Sequence, residues 1–235
     1  MVILCGGRGT RLQEITQSIP KPLVEIGGKP ILWHVMQIYI AQGFRRFILP
    51  TGYKGEMVQE FAQGEDWPAD VAVKTIDTGI ETPTAERIHR VRDHLGEKDF
   101  CVTYTDCLAD VDLQGLLRFH REHDGLATMT VVRPSVQFGV ADLDGDNRVQ
   151  GFHEKPQYER WVNGGFMCFD NDALPYMDGE PAMLEREPLE RLAADGQLYA
   201  FRHESFWHAM DTYKEAVALN DLWREARRPP WKLWA

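Results

Sequence analysis

This sequence of 235 residues is short of three things: paired cysteines, long apolar runs and positive charge. Cys5, Cys101, Cys107 and Cys168 form no C-x-x-C pair. The first three lie in or beside apolar, strand-like runs, where a free thiol behaves as a small hydrophobe. A reducing, cytoplasmic setting is expected. No apolar run approaches the length that spans a bilayer, and no basic segment leads into an apolar one at the start, so neither a membrane anchor nor a secretory leader is expected. With 26 Lys and Arg against 36 Asp and Glu, the formal net charge is −10 and the pI near 5.3. Nucleic acid and anionic membranes need a basic field, which argues against both as partners. Any polyanionic ligand must be held by a few cations placed locally.

Glycine is concentrated in one place. The run Val2-Ile3-Leu4-Cys5 reads as a buried strand that ends in Gly6-Gly7-Arg8-Gly9-Thr10-Arg11-Leu12, followed by Pro20-Lys21-Pro22. Glycines there let backbone N–H groups approach and cradle an anion, for which a phosphate chain is the obvious guest. Arg11 offers a planar fork and Lys21 a compact point charge, both suited to phosphate oxygens. A dinucleotide fingerprint would continue into the small residues of a close-packed helix, and a Walker loop would place Lys-Ser/Thr after its last glycine. Neither follows. A dinucleotide fold would also want an acidic residue at the end of its second strand, where Leu49-Pro50-Thr51 has none.

Hydrophobic residues make up 43% of the chain, ample for one compact α/β unit over 1–235. Strand-like and helix-like runs alternate through about residue 125. Strands are expected at 46–49, 71–76 and 100–104, and helices from Ile31 to Tyr39, around Met57 to Phe61, over 85–95 and from Leu113 to His120. That alternation implies a mainly parallel sheet with helices on both faces and ligands at the carboxyl ends of its strands. Beyond residue 125 a strand at 127–132 is followed by a hairpin around Asp144-Gly145-Asp146-Asn147. Strands at 161–169 and 198–202 and helices at 187–194 and 212–223 complete the chain. The Asp-rich turn lacks the Gly and Glu that a calcium loop requires at its sixth and twelfth positions.

Three further segments carry candidate chemistry. Asp106 follows the strand at 100–104 and is expected at its carboxyl end, facing the glycine loop, where a magnesium ion could use it together with substrate oxygens. Asp211, in Trp207-His208-Ala209-Met210-Asp211-Thr212, reads on its own as a helix N-cap, and His208 either orients it or is a half-buried strand residue. Glu154-Lys155-Pro156 reads on its own as solvated surface. His120 and His123 are spaced for one helix face but have no further ligands nearby in the sequence.

The glycine loop with Pro-Lys-Pro, together with these segments, resembles the sugar-1-phosphate nucleotidyltransferases, whose loop reads G-G-x-G-T-R-L with P-K-P about ten residues on. The stretch from Lys21 to His34, Gly52-Tyr53-Lys54-Gly55, Asp77-Thr78-Gly79, Asn163-Gly164-Gly165-Phe166 and the tail Pro230-Trp231-Lys232 are similar to the cytidylyltransferase branch of that family, nearly end to end. The resemblance implies a Rossmann-like, mainly parallel sheet flanked by helices. Residues 1–125 would mainly bind nucleotide, and a small β-rich part in 126–235 would mainly bind the sugar phosphate. It implies transfer of a nucleotidyl group, CMP from CTP, to a sugar 1-phosphate, with Mg2+ held by Asp106 and Asp211. Arg11, Lys21 and Lys155 would be the catalytic cations. Leu4, Gly6, Gly7, Gly9, Thr10, Arg11, Lys21, Thr82, Arg87 and Thr105 would meet the nucleotide, and Gly139, Glu154, Lys155, Asn163 and Gly164 the sugar phosphate. Ala85-Glu86 and Thr105/Cys107 stand where the family has glycines, which would reshape the site. The alternatives are the same reaction class with another NTP or another phosphate acceptor, or a silent nucleotide-sensing subunit on the same fold. The tail, with Trp231, Leu233 and Trp234, is expected to mark a homo-oligomer interface, or else to fold back on its own domain.

Overall fold

The computed structural model describes residues 1–12, 16–178 and 182–234. The first strand, β1 (Val2–Leu4), is followed by the two-residue strands β2 (Glu25–Ile26) and β3 (Lys29–Pro30), then α1 (Ile31–Ala41), β4 (Arg46–Thr51), α2 (Gly55–Gly64), β5 (Ala72–Asp77) and α3 (Thr84–Arg90). Next come β6 (Asp99–Tyr104), β7 (Cys107–Ala109), α4 (Leu113–Glu122) and β8 (Ala127–Val132). The hairpin is β9 (Val140–Leu143) and β10 (Val149–His153), and β11 (Val162–Asp170), α5 (Glu187–Ala194), β12 (Leu198–Arg202), β13 (Trp207–Ala209) and α6 (Tyr213–Glu225) close the chain.

Seven strands form the main sheet in the order β12-β8-β11-β6-β1-β4-β5. Its neighbours are parallel except around β11, which runs antiparallel to both β6 and β8. Every residue of β1 is buried because both sheet faces are covered, as the unbroken apolar run predicts. Alternation along the strands feeds two cores. Ile3, Phe47, Cys101 and Phe166 meet apolar residues of α1, α2, α4 and α6 on one side, and Val2, Ile48, Val102 and Met167 meet those of α3 and α5 on the other. The expected helix over 85–95 is shorter than its apolar stripe. Hydrogen bonds from Val91 N–H to the Ile88 carbonyl and from His94 N–H to that of Val91 tighten the chain, and a 3-10 turn at Arg92–His94 replaces the last α-turn.

Two features outside the main sheet matter. The short strands β7 and β13, which no periodicity announced, pair antiparallel with Cys107 opposite Ala209, and Met210 N–H donates to the Asp106 carbonyl at 2.7 Å. The hairpin β9–β10 forms a two-stranded sheet of its own among the described residues. Asp144 organises its turn by accepting from Asp146 N–H at 3.0 Å and Arg148 N–H at 2.9 Å, with Asn147 left-handed at φ 64°.

The tail folds back on its own domain, so the interface expected of it loses its ground. Trp231 is wholly buried between Phe206 (ring centroids 5.5 Å apart), Trp223 (6.1 Å) and His34 (6.2 Å), and Trp234 sits edge-on to Trp33. An indole N–H only donates, so His34 Nδ1 accepts from Trp231 Nε1, leaving the proton on Nε2 for the Ile26 carbonyl at 2.8 Å. Burial keeps this imidazole neutral, lowering its pKa to about 4. Trp231→Ala is expected to cost about 3–5 kcal/mol of stability by opening that core. Urea denaturation checks it, and a negligible change would mean that the tail does not pack in solution.

Candidate active site

A cavity of about 490 Å³ opens at the carboxyl ends of β1 and β6, where the strand order reverses direction around β1. Its walls are the glycine loop after β1, Lys21 with Pro22, the segment 80–84 after β5, Tyr104, Thr105 and Asp106 after β6, Met183, and Asp211 before α6. Gly9 adopts φ 62°, a left-handed conformation that glycine enters freely, and this turns the loop over the Lys21 stem. Gly6 is needed for closeness: a Cβ there would lie 2.1 Å from the Arg87 guanidinium carbon. Arg11 belongs to the 3-10 turn Thr10–Leu12, and its side chain lies outside what the structure describes.

Arg87 sits in the cavity floor, and its guanidinium is occupied by the protein. Nη1 donates to the Thr51 carbonyl (2.8 Å), Thr78 Oγ1 (2.6 Å) and the Gly79 carbonyl (2.8 Å), and Nη2 to the carbonyls of Gly6 and Ile80 (both 3.1 Å). It therefore ties together the loops after β1, β4 and β5. Both terminal nitrogens are thus engaged by the protein, and the side chain braces the loops that wall the site. Burial, with Arg90 nearby, lowers its pKa. Glu86 does not intrude on the site: its carboxylate accepts from Arg90 Nε at 3.0 Å, one helical turn on, and it does not line the cavity. Ala85 is buried in the core beneath α3.

Across the cavity, Lys21 Nζ lies 2.8 Å from Asp106 Oδ2 and 2.9 Å from Asp211 Oδ1. Burial works against the ammonium, but the two carboxylates outweigh it and hold its pKa above the usual lysine value. Asp106 is where its strand predicts. The β7–β13 ladder brings Asp211 beside it. Asp211 is not the helix cap that it resembles. Thr212 caps α6, in a capping box with Glu215, whose carboxylate accepts from Thr212 N–H at 2.8 Å and Asp211 N–H at 2.7 Å. That exchange fixes the backbone while the Asp211 carboxylate faces Lys21. Two carboxylates converging on one cation suit a hard divalent metal that completes its shell with water and substrate oxygens. His208 Nδ1 is 2.7 Å from the Ala209 carbonyl, and the rings of His120 and His123 both bond the Thr128 hydroxyl, at 2.9 and 2.7 Å.

The expected nucleotide residues Leu4, Gly6, Gly7, Gly9, Thr10, Lys21, Thr82, Arg87 and Thr105 all line this cavity with Asp106 and Asp211. Cys107 does not. It is buried in the core beside β13 and touches the site only through its thiol, which lies 3.5 Å from Asp106 Oδ1, whereas Thr105 lines the cavity directly. None of the expected sugar-phosphate residues is among those lining this cavity. Gly139 and Glu154 are neighbours at the foot of the hairpin. Lys155, left-handed at φ 49°, lies 3.9 Å from Glu154 and is exposed. Asn163 Oδ1 accepts from Gly165 N–H at 2.8 Å, and the Gly164 carbonyl accepts from Trp207 Nε1 at 2.8 Å.

Several lining residues carried no signal in the sequence. Arg8 forms an ion pair with Glu81 across the cavity mouth, while Ile80 and Met183 expose apolar surface at its rim. Tyr104 OH donates to Glu185, and Leu184 N–H donates to Thr84 Oγ1 at 2.7 Å, which fastens the segment 182–185 as a wall. These contacts join positions so distant in sequence that local pattern cannot reveal them.

A model of the nucleotidyl transferase family matches residues 1–215. The chain is 39% identical over 254 residues to a probable glucose-1-phosphate cytidylyltransferase of Bacillus subtilis, covering 99% of each. It is also 39% identical over 255 residues to glucose-1-phosphate cytidylyltransferase of Salmonella typhi, covering 99% of this chain and 98% of that one. Among solved structures, HddC from Yersinia pseudotuberculosis matches with a TM-score of 0.76 at 24% identity, over 94% of this chain and 98% of that one, and so has the same fold.

Proposed function

The chain belongs to the nucleotidyl transferase family, and from that premise we propose that it transfers CMP from CTP to the phosphate of glucose 1-phosphate, giving CDP-glucose and pyrophosphate. An oxygen of the sugar phosphate attacks the α-phosphorus, the bond from that phosphorus to the β-phosphate breaks, and pyrophosphate carries the bonding electrons away. The observation that carries this reading is the convergence of Asp106 and Asp211 on Lys21, opposite a glycine loop. Asp106 and Asp211 would hold Mg2+, which supplies charge neutralisation to the reacting phosphates. The loop's N–H groups and Lys21 bind the triphosphate, joined by Arg11 from the same turn. Lys155, with Glu154, Gly139, Asn163 and Gly164, serves the acceptor.

No covalent enzyme intermediate is needed. The thiols nearest the site, Cys5 and Cys107, are pushed up in pKa by burial and stay protonated. Because Arg87 is engaged by the protein, the choice of base rests on the relatives at 39% identity. CTP is expected to exceed UTP in kcat/KM by about tenfold to a hundredfold, the cost of one mismatched donor at the base edge. The test is pyrophosphate release across CTP, UTP, GTP and dTTP with a panel of sugar 1-phosphates. A leading value for GTP or dTTP would overturn the cytidylyl assignment while sparing the reaction class.

A further inference from the structure

The two carboxylates suited to a divalent cation already hold a cation of the protein's own. Lys21 Nζ bridges Asp106 and Asp211 at 2.8 and 2.9 Å, and its side chain is only 13% exposed against 29% and 35% for theirs. Resting on the proposed function, we infer that Lys21 fills the divalent-cation position of the free enzyme and leaves it only when the phosphates of a nucleotide draw its ammonium away. The metal then enters with the nucleotide and not before it.

Three observations support the exchange. First, the protein alone offers a divalent ion little: among the described residues no group of three or more His, Cys, Asp and Glu is arranged to hold one. Magnesium binds such a two-carboxylate site mainly when substrate phosphates complete its shell. Secondly, an ammonium within hydrogen-bond distance of both carboxylates repels an arriving dication and competes for the same oxygens. Thirdly, the alternative position for the ammonium is close. The Lys21 stem runs beneath the glycine loop, where a Cβ on Gly9 would lie 3.0 Å from Lys21 Cβ and 3.6 Å from its Cδ. Rotation about the flexible four-carbon stem carries the charge from the aspartates to phosphates cradled by that loop, with no backbone movement. Without a metal the lysine also screens the two carboxylates from each other, so the site stays assembled between turnovers.

The test is Mn2+ binding to the free enzyme, followed by paramagnetic resonance without nucleotide. Lys21→Gln is expected to bind Mn2+ at least about tenfold more tightly than wild type, because a competing charge is gone. Lys21→Arg keeps the charge and is expected to stay near wild type, and adding Asp106→Asn to Lys21→Gln should cancel the gain. Equal affinity in wild type and a folded Lys21→Gln overturns the exchange. Should Lys21→Gln fail to fold, wild type still decides. Millimolar MgCl2 alone is expected to leave its melting temperature unchanged, and a clear rise would show the position open and overturn the inference. Pyrophosphate release by wild type reads the proposed function separately. Turnover by wild type together with unaltered Mn2+ affinity in Lys21→Gln refutes the exchange alone, whereas no turnover by wild type with any NTP refutes the activity.

Discussion

Asp106→Asn and Asp211→Asn are each expected to lower kcat by about a hundredfold or more at saturating substrates and magnesium. Either change removes a full negative charge from the place where two carboxylates converge on Lys21. It also weakens the grip on the metal that would balance the reacting phosphates. The fold should survive. Asparagine is close in shape to aspartate, both side chains are partly exposed, and the ladder that joins the two segments uses main-chain atoms, including Met210 N–H to the Asp106 carbonyl. Circular dichroism melting alongside steady-state kinetics separates the two effects. Wild-type turnover in Asp211→Asn would reduce that residue to a spacer before the Thr212 cap.

The second large effect is expected at Arg87. Replacing it with alanine removes the donor to the Gly79 and Ile80 carbonyls in a buried floor, while the Thr51 and Gly6 carbonyls keep Thr78 and Tyr53 N–H and the Thr78 hydroxyl keeps the Thr51 carbonyl. At about 1–3 kcal/mol for each group left unsatisfied, and allowing for water entering the space, a loss of about 3–5 kcal/mol is expected. Because the brace spans the loops after β1, β4 and β5, the same variant should also raise KM for the nucleotide. Arg87→Lys keeps the charge but cannot reach five acceptors in three loops, so it should recover only part of the stability. Urea denaturation distinguishes brace from ligand. A side chain whose role was to touch the nucleotide would, on removal, weaken binding and leave the unfolding midpoint where it was.

These two sites also divide what local pattern reveals from what it does not. The glycine loop and Lys21 were legible as parts of one cavity because they stand close together in sequence, after a buried strand. Asp106 was legible as a position, since it follows β6, although nothing local named its partner. Arg87 was legible as a residue of the site, but its hydrogen bonds to the protein were not. Whether a guanidinium faces a ligand or three carbonyl-bearing loops depends on strands that are distant in sequence.

From the order of its residues alone, the chain determined an α/β unit with buried parallel strands, helices on both faces and a glycine-rich loop after the first strand. Each of these follows from periodicity and from the conformational freedom of glycine, which act over a few residues. The folded structure decided the rest. It paired β7 with β13 and so set Asp211 beside Asp106. It moved the helix cap to Thr212, buried Trp231 against His34, and turned Arg87 under the loops. Those outcomes depend on which surfaces meet when two cores close around one sheet, and packing of that kind joins residues that no local signal links.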